Sequence, residues 1–330
     1  MSIGHDARIY IAGHRGLAGS ALVRKLRAMG YENLVLRTHA ELDLTDAGPV
    51  REFFQSERPQ VVLLAAAKVG GILANDTYPA EFIRENLTIQ TNVIHEAWRA
   101  GVERLLFLGS SCIYPRDCTQ PMREEYLLTG PLESTNRAYA VAKIAGIEMC
   151  WSYNRQYATQ FLALMPTNLF GPGDNYDLQS SHVLPALIRK AHEAKTRADA
   201  RLVVWGTGSP RREFLYSDDM ADACTFLLGL SDEQFGKLVR RDALPLLNVG
   251  AGKDLAIREL AELVADVVGY RGQLEFDVSK PDGTPRKLLD TSRLAVLGWT
   301  ARIPLREGIE KAYSDYLAGL GFTNSRSAAA

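Results

Sequence analysis

Short apolar runs alternate with amphipathic stretches through the first half of the chain. The apolar runs are rich in branched residues and too short for helices, which is typical of buried parallel strands; they cover residues 9–12, 33–37, 61–65, 105–109 and 161–165. Apolar residues recur at helical spacing in the stretches between them, at residues 19–29, 79–100 and 138–157. This alternation predicts an α/β fold, a doubly wound parallel sheet of the Rossmann-like type with right-handed crossovers.

The pattern changes after about Asn168. The strand-like runs become shorter and more widely spaced, and clusters of glycine and proline that form turns become frequent; they lie at 171–173, 206–210 and 280–285. We therefore predict a first domain over residues 1–170 and a smaller α/β lobe over 171–330, with parts of 205–250 returning to the first domain. A cleft between two such lobes is the usual place for a ligand.

Composition narrows the possible functions. The 330 residues are 46% hydrophobic and 23% charged, as in an ordinary globular protein, and the formal net charge is -1. Without a basic field, the sequence predicts no binding to nucleic acid or to a membrane surface. The apolar runs are too short to cross a bilayer, and the chain begins without a signal-peptide pattern. The four cysteines lack metal-ligand spacing, so we expect no metal site, no disulfide framework and a cytoplasmic location.

A glycine-rich loop follows the first predicted strand and opens the first predicted helix. Its glycines allow a tight turn and close approach of the backbone to a pyrophosphate at the helix N-terminus. The spacing is GxxGxxG rather than the GxGxxG of the common dinucleotide fingerprint, and a purely structural turn is the alternative. The position between strand and helix favours a dinucleotide site. Its loop residues are Gly13, His14, Arg15, Gly16, Leu17, Ala18 and Gly19.

The end of the second predicted strand indicates which dinucleotide is bound. Proteins that prefer NAD usually carry an acid there for the ribose 2′-hydroxyl, whereas this chain has Arg37, and Arg15 lies in the glycine loop. Two guanidinium groups can hold a 2′-phosphate, which favours NADP(H) over NAD(H); the alternative for Arg37 is a solvated strand end. Asp43 can face the adenine edge, with Leu44 beside it in the predicted cofactor site. Asp46 is equally suited to cap the next helix.

Tyr139 and Lys143 lie four residues apart on a predicted helix, so their side chains share one face. Ser110 follows the fourth predicted strand, at the sheet edge where open α/β folds bind ligands. A hydroxyl, a phenol and an ammonium form a proton-donating site for a carbonyl oxygen, and we expect the charge of Lys143 to lower the pKa of Tyr139. Together with a dinucleotide loop, this cluster predicts hydride chemistry at a carbonyl. A chance surface pair of Tyr and Lys is the alternative.

Several longer segments resemble a known family. They are Gly-His-Arg-Gly at 13–16, Ala-Ala-Ala-Lys-Val-Gly-Gly-Ile at 65–72, Leu-Gly-Ser-Ser-Cys-Ile-Tyr-Pro at 108–115, Met-Pro-Thr-Asn-Leu at 165–169, Ser-His-Val at 181–183 and Lys-Pro-Asp-Gly-Thr-Pro-Arg-Lys at 280–287. Through them the chain resembles the extended short-chain dehydrogenases/reductases over nearly its whole length. It is most similar to those that convert GDP-4-keto-6-deoxy-D-mannose into GDP-L-fucose. The glycine loop and the Tyr-Lys pair indicate only the superfamily, whereas the segments at 108–115, 181–183 and 280–287 are far more specific.

The resemblance implies a C3/C5 epimerase and an NADPH-dependent C4 reductase in one site. Proton removal at C3 or C5 of the keto sugar gives an enolate, which Ser110 and Tyr139 stabilise at the C4 oxygen. The base and the acid of the family match Cys112 and His182, with Cys112 as the base. A buried structural thiol and a polar contact at a helix start are the alternatives for these two residues. The catalytic residues implied are Ser110, Cys112, Tyr139, Lys143 and His182.

The same resemblance implies the other ligand contacts. Beyond the glycine loop, the cofactor residues are Arg37, Asp43, Leu44, Leu108, Gly109, Ser110, Ser111, Lys143, Pro166, Thr167, Asn168, Leu169 and His182. The nucleotide-sugar residues are Lys190, Trp205, Arg212 and Asp282. Core packing is the alternative for Trp205, and turn formation is the alternative for Asp282. The first domain is then NADP-binding and the second lobe substrate-binding, and a homodimer through the helices near 80–100 and 138–157 is expected.

Three rival functions are open. A nucleotide-sugar dehydratase generally has an Asp-Glu pair after the strand-end Ser or Thr, where this chain has Ser111 and Cys112. A 4-epimerase needs neither Cys112 nor His182 and usually retains NAD. A dinucleotide sensor without catalysis usually loses the tyrosine or the lysine of the pair, and both are present here.

Overall fold

The computed structural model describes residues 3–280 and 282–327. The strands are β1 Ile9–Ala12, β2 Leu34–Val35, β3 Val61–Leu64, β4 Arg104–Leu108, β5 Phe161–Pro166, β6 Asn168–Phe170, β7 Arg201–Trp205, β8 Arg211–Tyr216, β9 Leu246–Val249, β10 Asp254–Ala256, β11 Gln273–Asp277 and β12 Arg286–Lys287. The α-helices are α1 Leu17–Ala28, α2 Ala47–Glu57, α3 Ile72–Thr77, α4 Pro79–Arg99, α5 Arg137–Tyr157, α6 Val183–Arg197, α7 Ser217–Leu228, α8 Asp232–Leu238, α9 Ile257–Val268, α10 Ser292–Val296 and α11 Leu305–Ser327. Short 3₁₀ helices lie at Ser111–Ile113 and Glu124–Tyr126.

The main sheet has six parallel strands in the order β2-β1-β3-β4-β5-β9. This confirms the predicted doubly wound α/β fold. β9 comes from the second half of the chain and completes one edge, where it is fully buried and pairs with β5. β2 is shorter than the predicted run at 33–37, because only Leu34 and Val35 pair with β1 at the opposite edge.

The two faces of this sheet bury separate apolar layers. In β1, Ile9 and Ile11 belong to one layer and Tyr10 and Ala12 to the other, and all four are almost fully buried. Successive strand residues point to opposite faces, so burial on both faces requires an unbroken apolar run rather than an alternating one. Helices α2, α4 and α5 cover one face, while α1 and α7 cover the other.

The second lobe is built around β8. This strand pairs with β10, β12 and β6, while β7 and β11 form a separate two-stranded sheet. Helices α6, α9 and α11 enclose a third apolar layer. The chain returns to the first domain at α7, which packs against α1, and at β9; a domain boundary at residue 170 stays a prediction. Within residues 3–280 and 282–327, no helix has the length and apolar character needed to cross a bilayer.

Candidate active site

Two of the three loop glycines are required by the fold, and the third is not. Gly13 has a φ of +82°, and a Cβ there would lie 2.8 Å from the backbone of Ala66. A Cβ on Gly19 would lie 2.1 Å from the carbonyl oxygen of Gly13. A Cβ on Gly16 would meet, among the described atoms, only that same oxygen at 3.5 Å, which is an ordinary contact. The missing side chain of Gly16 therefore leaves open space at the start of α1.

The N-terminus of α1 has the features of an anion site. No side chain caps this end, and no acidic residue lies in the first turn. The positive end of the helix dipole is therefore not neutralised locally. His14 lies in the loop, with its Nδ1 atom buried and without a hydrogen-bond partner in the described part of the chain. These residues fit the pyrophosphate of a dinucleotide, because phosphate oxygens accept hydrogen bonds from helix-start amides.

The two arginines expected at a 2′-phosphate differ in their surroundings. Arg37 forms an ion pair with Glu57 at the end of α2 and lies 5.7 Å from the centre of the Phe53 ring. Arg15 is exposed in the glycine loop. A phosphate bound here would compete with Glu57 for Arg37. No local sequence pattern indicates this ion pair, because its members are 20 residues apart and meet only through the fold.

The acidic residues after β2 bind the local backbone. Asp43 accepts hydrogen bonds from the amide and the hydroxyl of Thr45, at 2.8 and 2.7 Å, and Leu44 is buried. Asp46 caps α2 by accepting from the amide of Gly48 at 3.1 Å, which confirms the capping interpretation. A contact of Asp43 with an adenine ring stays a prediction.

The carboxyl end of β4 leads directly into the candidate catalytic loop. Gly109 is packed so tightly that a Cβ there would lie 1.7 Å from the Cε atom of Met165, which fixes the path of the chain beyond Leu108. Ser110 then caps the 3₁₀ helix, and its hydroxyl accepts from the amide of Cys112 at 3.5 Å. The Ser110 hydroxyl and the Cys112 thiol therefore lie together at the edge of the sheet.

Helix α5 places Tyr139 and Lys143 against this edge. The Lys143 ammonium donates to the carbonyl of Leu108 at 2.9 Å and lies 5.7 Å from the centre of the Tyr139 ring. Lys143 is 3% exposed, and burial lowers its pKa to about 8. Tyr139 packs edge-on against Phe82, with 6.2 Å between the ring centres. The end of β4 and the start of α5 thus bring Ser110, Tyr139 and Lys143 into one cluster.

The pKa of Tyr139 differs from the expectation based on sequence. Burial raises it, and the neighbouring Cys112 raises it further, whereas the sequence analysis predicts that Lys143 lowers it. That prediction is wrong for this structure, because the phenol loses solvation on burial and the Lys143 ammonium is directed at the Leu108 carbonyl. Tyr139 is therefore a protonated phenol at neutral pH.

Cys112 is a buried free thiol with several polar neighbours. It is 7% exposed and forms no disulfide. Burial raises the pKa of the thiol, while the hydrogen bond with Ser110 and the charges of Lys287 and Lys143 lower it. These neighbours distinguish it from Cys150 and Cys224, whose thiols have a pKa raised by burial without a nearby cation.

His182 lies at the N-terminus of α6, across from the main sheet. The preceding segment contacts the loop after β3, since the amide of Gly71 donates to the carbonyl of Ser180 at 3.0 Å. The ring of His182 is accessible to solvent, yet the protein around it lowers the pKa of the imidazole. The contact between residues 71 and 180 brings the start of α6 to the loop after β3. A contact of His182 with a ligand at the edge of the sheet stays a prediction.

The predicted cofactor residues after β5 lie where the main sheet meets the second lobe. Pro166 ends β5, and Leu169 belongs to β6. The side chains of Thr167 and Asn168 donate to the carbonyl of Glu213 at 3.1 and 2.8 Å. The Glu213 carboxylate is fully buried and accepts from two backbone amides at 2.7 and 2.9 Å. Sequence reasoning missed Glu213, because its partners come from distant parts of the chain.

Lys190 and Trp205, both predicted at the nucleotide sugar, are neighbours. The ammonium of Lys190 lies 5.1 Å from the centre of the Trp205 ring, and that of Lys280 lies 5.5 Å from it. Trp205 is 58% exposed, so the core-packing interpretation of this residue is wrong. An exposed indole beside two ammonium groups can receive a flat ring or an anion.

Arg212 and Asp282 also lie near each other. Arg212 is half-buried on β8, where burial lowers its pKa and the charge of Asp282 raises it. Both Asp282 oxygens accept from Thr207, from its amide at 2.9 Å and its hydroxyl at 2.6 Å, which supports the turn-forming interpretation; a ligand contact stays a prediction. Pro281 of the same motif lies outside the described residues. Lys287 ends this motif and lies opposite Arg212 in the sheet, and sequence analysis assigned it no role.

Comparison with known proteins identifies the family. The sequence profile of the NAD dependent epimerase/dehydratase family matches residues 9–237. The chain is 58% identical to GDP-L-fucose synthase 1 of Arabidopsis thaliana over 94% of both chains, and 54% identical to the GDP-L-fucose synthase of Escherichia coli (strain K12) over 94% of this chain and 96% of that one. Its structure matches that of a GDP-L-fucose synthetase from Naegleria fowleri bound to NADP, with a TM-score of 0.87, 27% identity and coverage of 97% of this chain and 96% of that one. The chain therefore belongs to the NAD dependent epimerase/dehydratase family and, within it, to the GDP-L-fucose synthases.

Proposed function

We propose that this chain converts GDP-4-keto-6-deoxy-D-mannose into GDP-L-fucose, by epimerisation at C3 and C5 and NADPH-dependent reduction at C4. Membership of the GDP-L-fucose synthases supports this substrate and product. The observation that carries the proposal is the cluster of Ser110, Cys112, Tyr139 and Lys143 at the carboxyl end of β4. A simple carbonyl reductase has no use for the thiol in that cluster.

Epimerisation begins with stabilisation of the C4 oxygen. Ser110 and Tyr139 donate hydrogen bonds to the ketone, and these bonds strengthen as negative charge develops on that oxygen in the enolate. The raised pKa of Tyr139 keeps its proton available for this purpose at neutral pH. Both epimerisations and the reduction therefore use the same pair of donors at one oxygen.

Cys112 and His182 carry the proton transfers at carbon. The Cys112 thiolate takes the proton from C3 or C5, and the electrons of the broken C–H bond move into the enolate. His182 returns a proton to the opposite face of that carbon, which inverts it. The lowered pKa of His182 makes its protonated form the stronger acid. Solvent then removes the proton from Cys112 and restores the proton of His182.

Reduction completes the sequence at C4. When bound, NADPH supplies the hydride that reduces this carbon. Tyr139 gives its phenolic proton to the C4 oxygen, so that the product carries a hydroxyl there. The phenolate left behind takes a proton from solvent, and Lys143, which its bond to Leu108 holds beside the ring, would contact the nicotinamide ribose.

The glycine loop and the strand ends around it would hold the cofactor. The open space over Gly16 and the uncapped start of α1 suit its pyrophosphate. Arg15 and Arg37 would bind the 2′-phosphate, with Arg37 exchanging Glu57 for the phosphate. Residues 108–111 and 166–169, together with Lys143 and His182, would surround the nicotinamide end, at the carboxyl edge of the sheet.

The second lobe would hold the nucleotide sugar. Arg212 can form paired hydrogen bonds to its diphosphate, and Lys190 supplies a further positive charge. Trp205 offers an exposed ring against which the nucleotide can pack. Asp282 keeps the turn that bears Thr207 in place.

We also propose that the enzyme is a homodimer in the cytoplasm. Helices α4 and α5 pack side by side, with His95 and Tyr153 joined by a hydrogen bond of 2.8 Å, and they leave Val141 and Tyr157 partly exposed. This two-helix surface is suited to pairing with its own copy. The four free cysteines suit a reducing compartment. A monomer in sedimentation equilibrium would count against the dimer.

Incubation of the purified protein with NADPH and GDP-4-keto-6-deoxy-D-mannose tests the proposed activity. We expect NADPH consumption and GDP-L-fucose formation in equal amounts. NADPH consumption with a product inverted at neither carbon would identify a C4 reductase without epimerase activity. Absence of NADPH consumption would contradict the proposal. The ADP-linked keto sugar, used as a matched comparison, measures how strongly the guanine base is recognised.

A further inference from the structure

Strands β8 and β12 distribute four cations between two faces. Arg211 lies opposite Arg286, and both form ion pairs with Asp254. Arg212 lies opposite Lys287. Paired residues of neighbouring strands share a face, and successive residues point to opposite faces. One face is therefore neutralised by Asp254 and Glu259, while the other presents Arg212 and Lys287 to the candidate active site.

The chain after Lys287 is attached to the loop that follows Cys112. The amide of Leu288 donates to the side chain of Gln120 at 2.9 Å, and the carbonyl of Leu288 accepts from the amide of Met122 at 2.7 Å. These two hydrogen bonds of the Leu288 backbone therefore fix where Lys287 enters the site. Its position does not depend on the flexible side chain alone.

The groups that face Cys112 come from three elements. Ser110 bonds to the thiol from its own loop, Tyr139 and Lys143 face it from α5, and Lys287 faces it from β12. The Lys143 ammonium is already held by the Leu108 carbonyl. Lys287 is therefore the cation that approaches the thiol from the side of the second lobe.

Lys287 itself has neighbours of both signs. Burial lowers its pKa, and Cys112 is the strongest of the groups that raise it; Glu133 and Cys118 act in the same direction, whereas Arg212 acts against them. A buried thiolate and a half-buried ammonium are each costly to form alone. Each reduces that cost for the other when both are charged.

We infer that Lys287 is a positioning residue for the epimerase steps, whose ammonium favours the thiolate form of Cys112 that removes the protons from C3 and C5. This inference rests on the proposed role of Cys112 as the base. Lys287 keeps its own proton throughout. The proton from carbon goes to the sulfur, and the C–H electrons go to the enolate.

The variants Lys287→Met, Lys287→Gln and Lys287→Arg test the inference, with Arg286→Met as the matched control on the opposite face of the same strand. All are made with Cys118→Ser, so that thiolate absorbance against pH reports Cys112 more cleanly. Removal of the charge should move thiolate formation to higher pH and lower solvent-deuterium exchange at C3 and C5 about tenfold at neutral pH. Lys287→Arg and Arg286→Met should both resemble the parent.

NADPH binding shows that each variant is folded. If Lys287→Met does not bind NADPH, Lys287→Gln is used as the neutral variant. An unchanged thiolate titration in the folded neutral variant overturns the inference. So does an equal loss of exchange in Lys287→Arg, because that result means a packing role. Failure of the proposed function looks different: Cys112→Ser would then exchange normally, whatever the titration shows.

Discussion

Replacement of Lys143 by methionine should stabilise the cofactor-free protein while it abolishes reduction. Lys143 is 3% exposed, and burial lowers its pKa from the ordinary 10.5 to about 8. At about 1.4 kcal/mol per pH unit, the buried charge costs the fold about 3 kcal/mol at neutral pH. Loss of the hydrogen bond to Leu108 reduces the stability gained in the variant by about 1–2 kcal/mol. The free energy of unfolding should therefore rise by about 1–2 kcal/mol in Lys143→Met.

The pH dependence of that gain is the sharper test. Between pH values of about 8 and 10.5 the unfolded chain holds the Lys143 proton and the folded chain has released it. The unfolded state then binds more protons, so the stability of the wild type rises with pH. The variant lacks this group, and its advantage should be complete near neutral pH and should disappear, then reverse, toward pH 10.

Urea unfolding without NADPH, at about pH 7 and about pH 9.5, measures both effects. Lys143→Arg is the control, since it keeps a positive charge and should lack the gain. A Lys143→Met protein less stable than the wild type at pH 7 would refute the claim that the buried Lys143 charge destabilises the fold. If the stability difference between Lys143→Met and the wild type is the same at both pH values, the charge of Lys143 is not its cause. In the activity assay, Lys143→Met should lose at least about 10²-fold in reduction rate.

Five further substitutions have defined outcomes. Tyr139→Phe should slow NADPH oxidation by about 10²- to 10⁴-fold. It should slow solvent exchange at C3 and C5 by less, because the Ser110 hydroxyl still donates to the C4 oxygen. Equal slowing of both reactions would contradict the sharing of these two donors between epimerisation and reduction. Arg37→Ala should weaken NADPH binding more than NADH binding in calorimetry, and Glu57→Gln should strengthen NADPH binding by freeing the arginine. Gly16→Ala should keep the melting temperature but lose NADPH affinity. Gly19→Ala should lower the melting temperature, because its Cβ would lie 2.1 Å from a carbonyl oxygen. The reverse pattern would contradict the role of Gly16 at the pyrophosphate.

The sequence predicted the main sheet well because burial on both faces leaves a simple pattern. A strand such as Ile9–Ala12 must be apolar throughout, and its bounds were predicted to the residue. β2 was predicted too long, since an edge strand pairs on one side only and its apolar run continues past the pairing. The return of parts of 205–250 to the first domain was predicted, but β9 was not predicted as a strand, because its four residues give no sign of the sheet they join.

Local chemistry in the site was predictable, and contacts between distant segments were not. Tyr139 and Lys143 share a helix face by spacing alone, and Asp46 was recognisable as a cap. The pairing of Arg37 with Glu57 depends on how β2 and α2 pack, which no local pattern encodes. The place of Lys287 beside Cys112 depends on the register of β12 with β8. The direction of the pKa shift of Tyr139 was missed because burial cannot be read from a four-residue spacing.

The central claim is that one cluster at the end of β4 performs both the epimerisations and the reduction. Deuterium incorporation into GDP-4-keto-6-deoxy-D-mannose in heavy water, without NADPH, tests it most directly. The wild type should incorporate deuterium at C3 and at C5, and the matched variant Cys118→Ser should do the same. Cys112→Ser should incorporate it at neither carbon while it still binds NADPH. Undiminished incorporation by Cys112→Ser would contradict the claim.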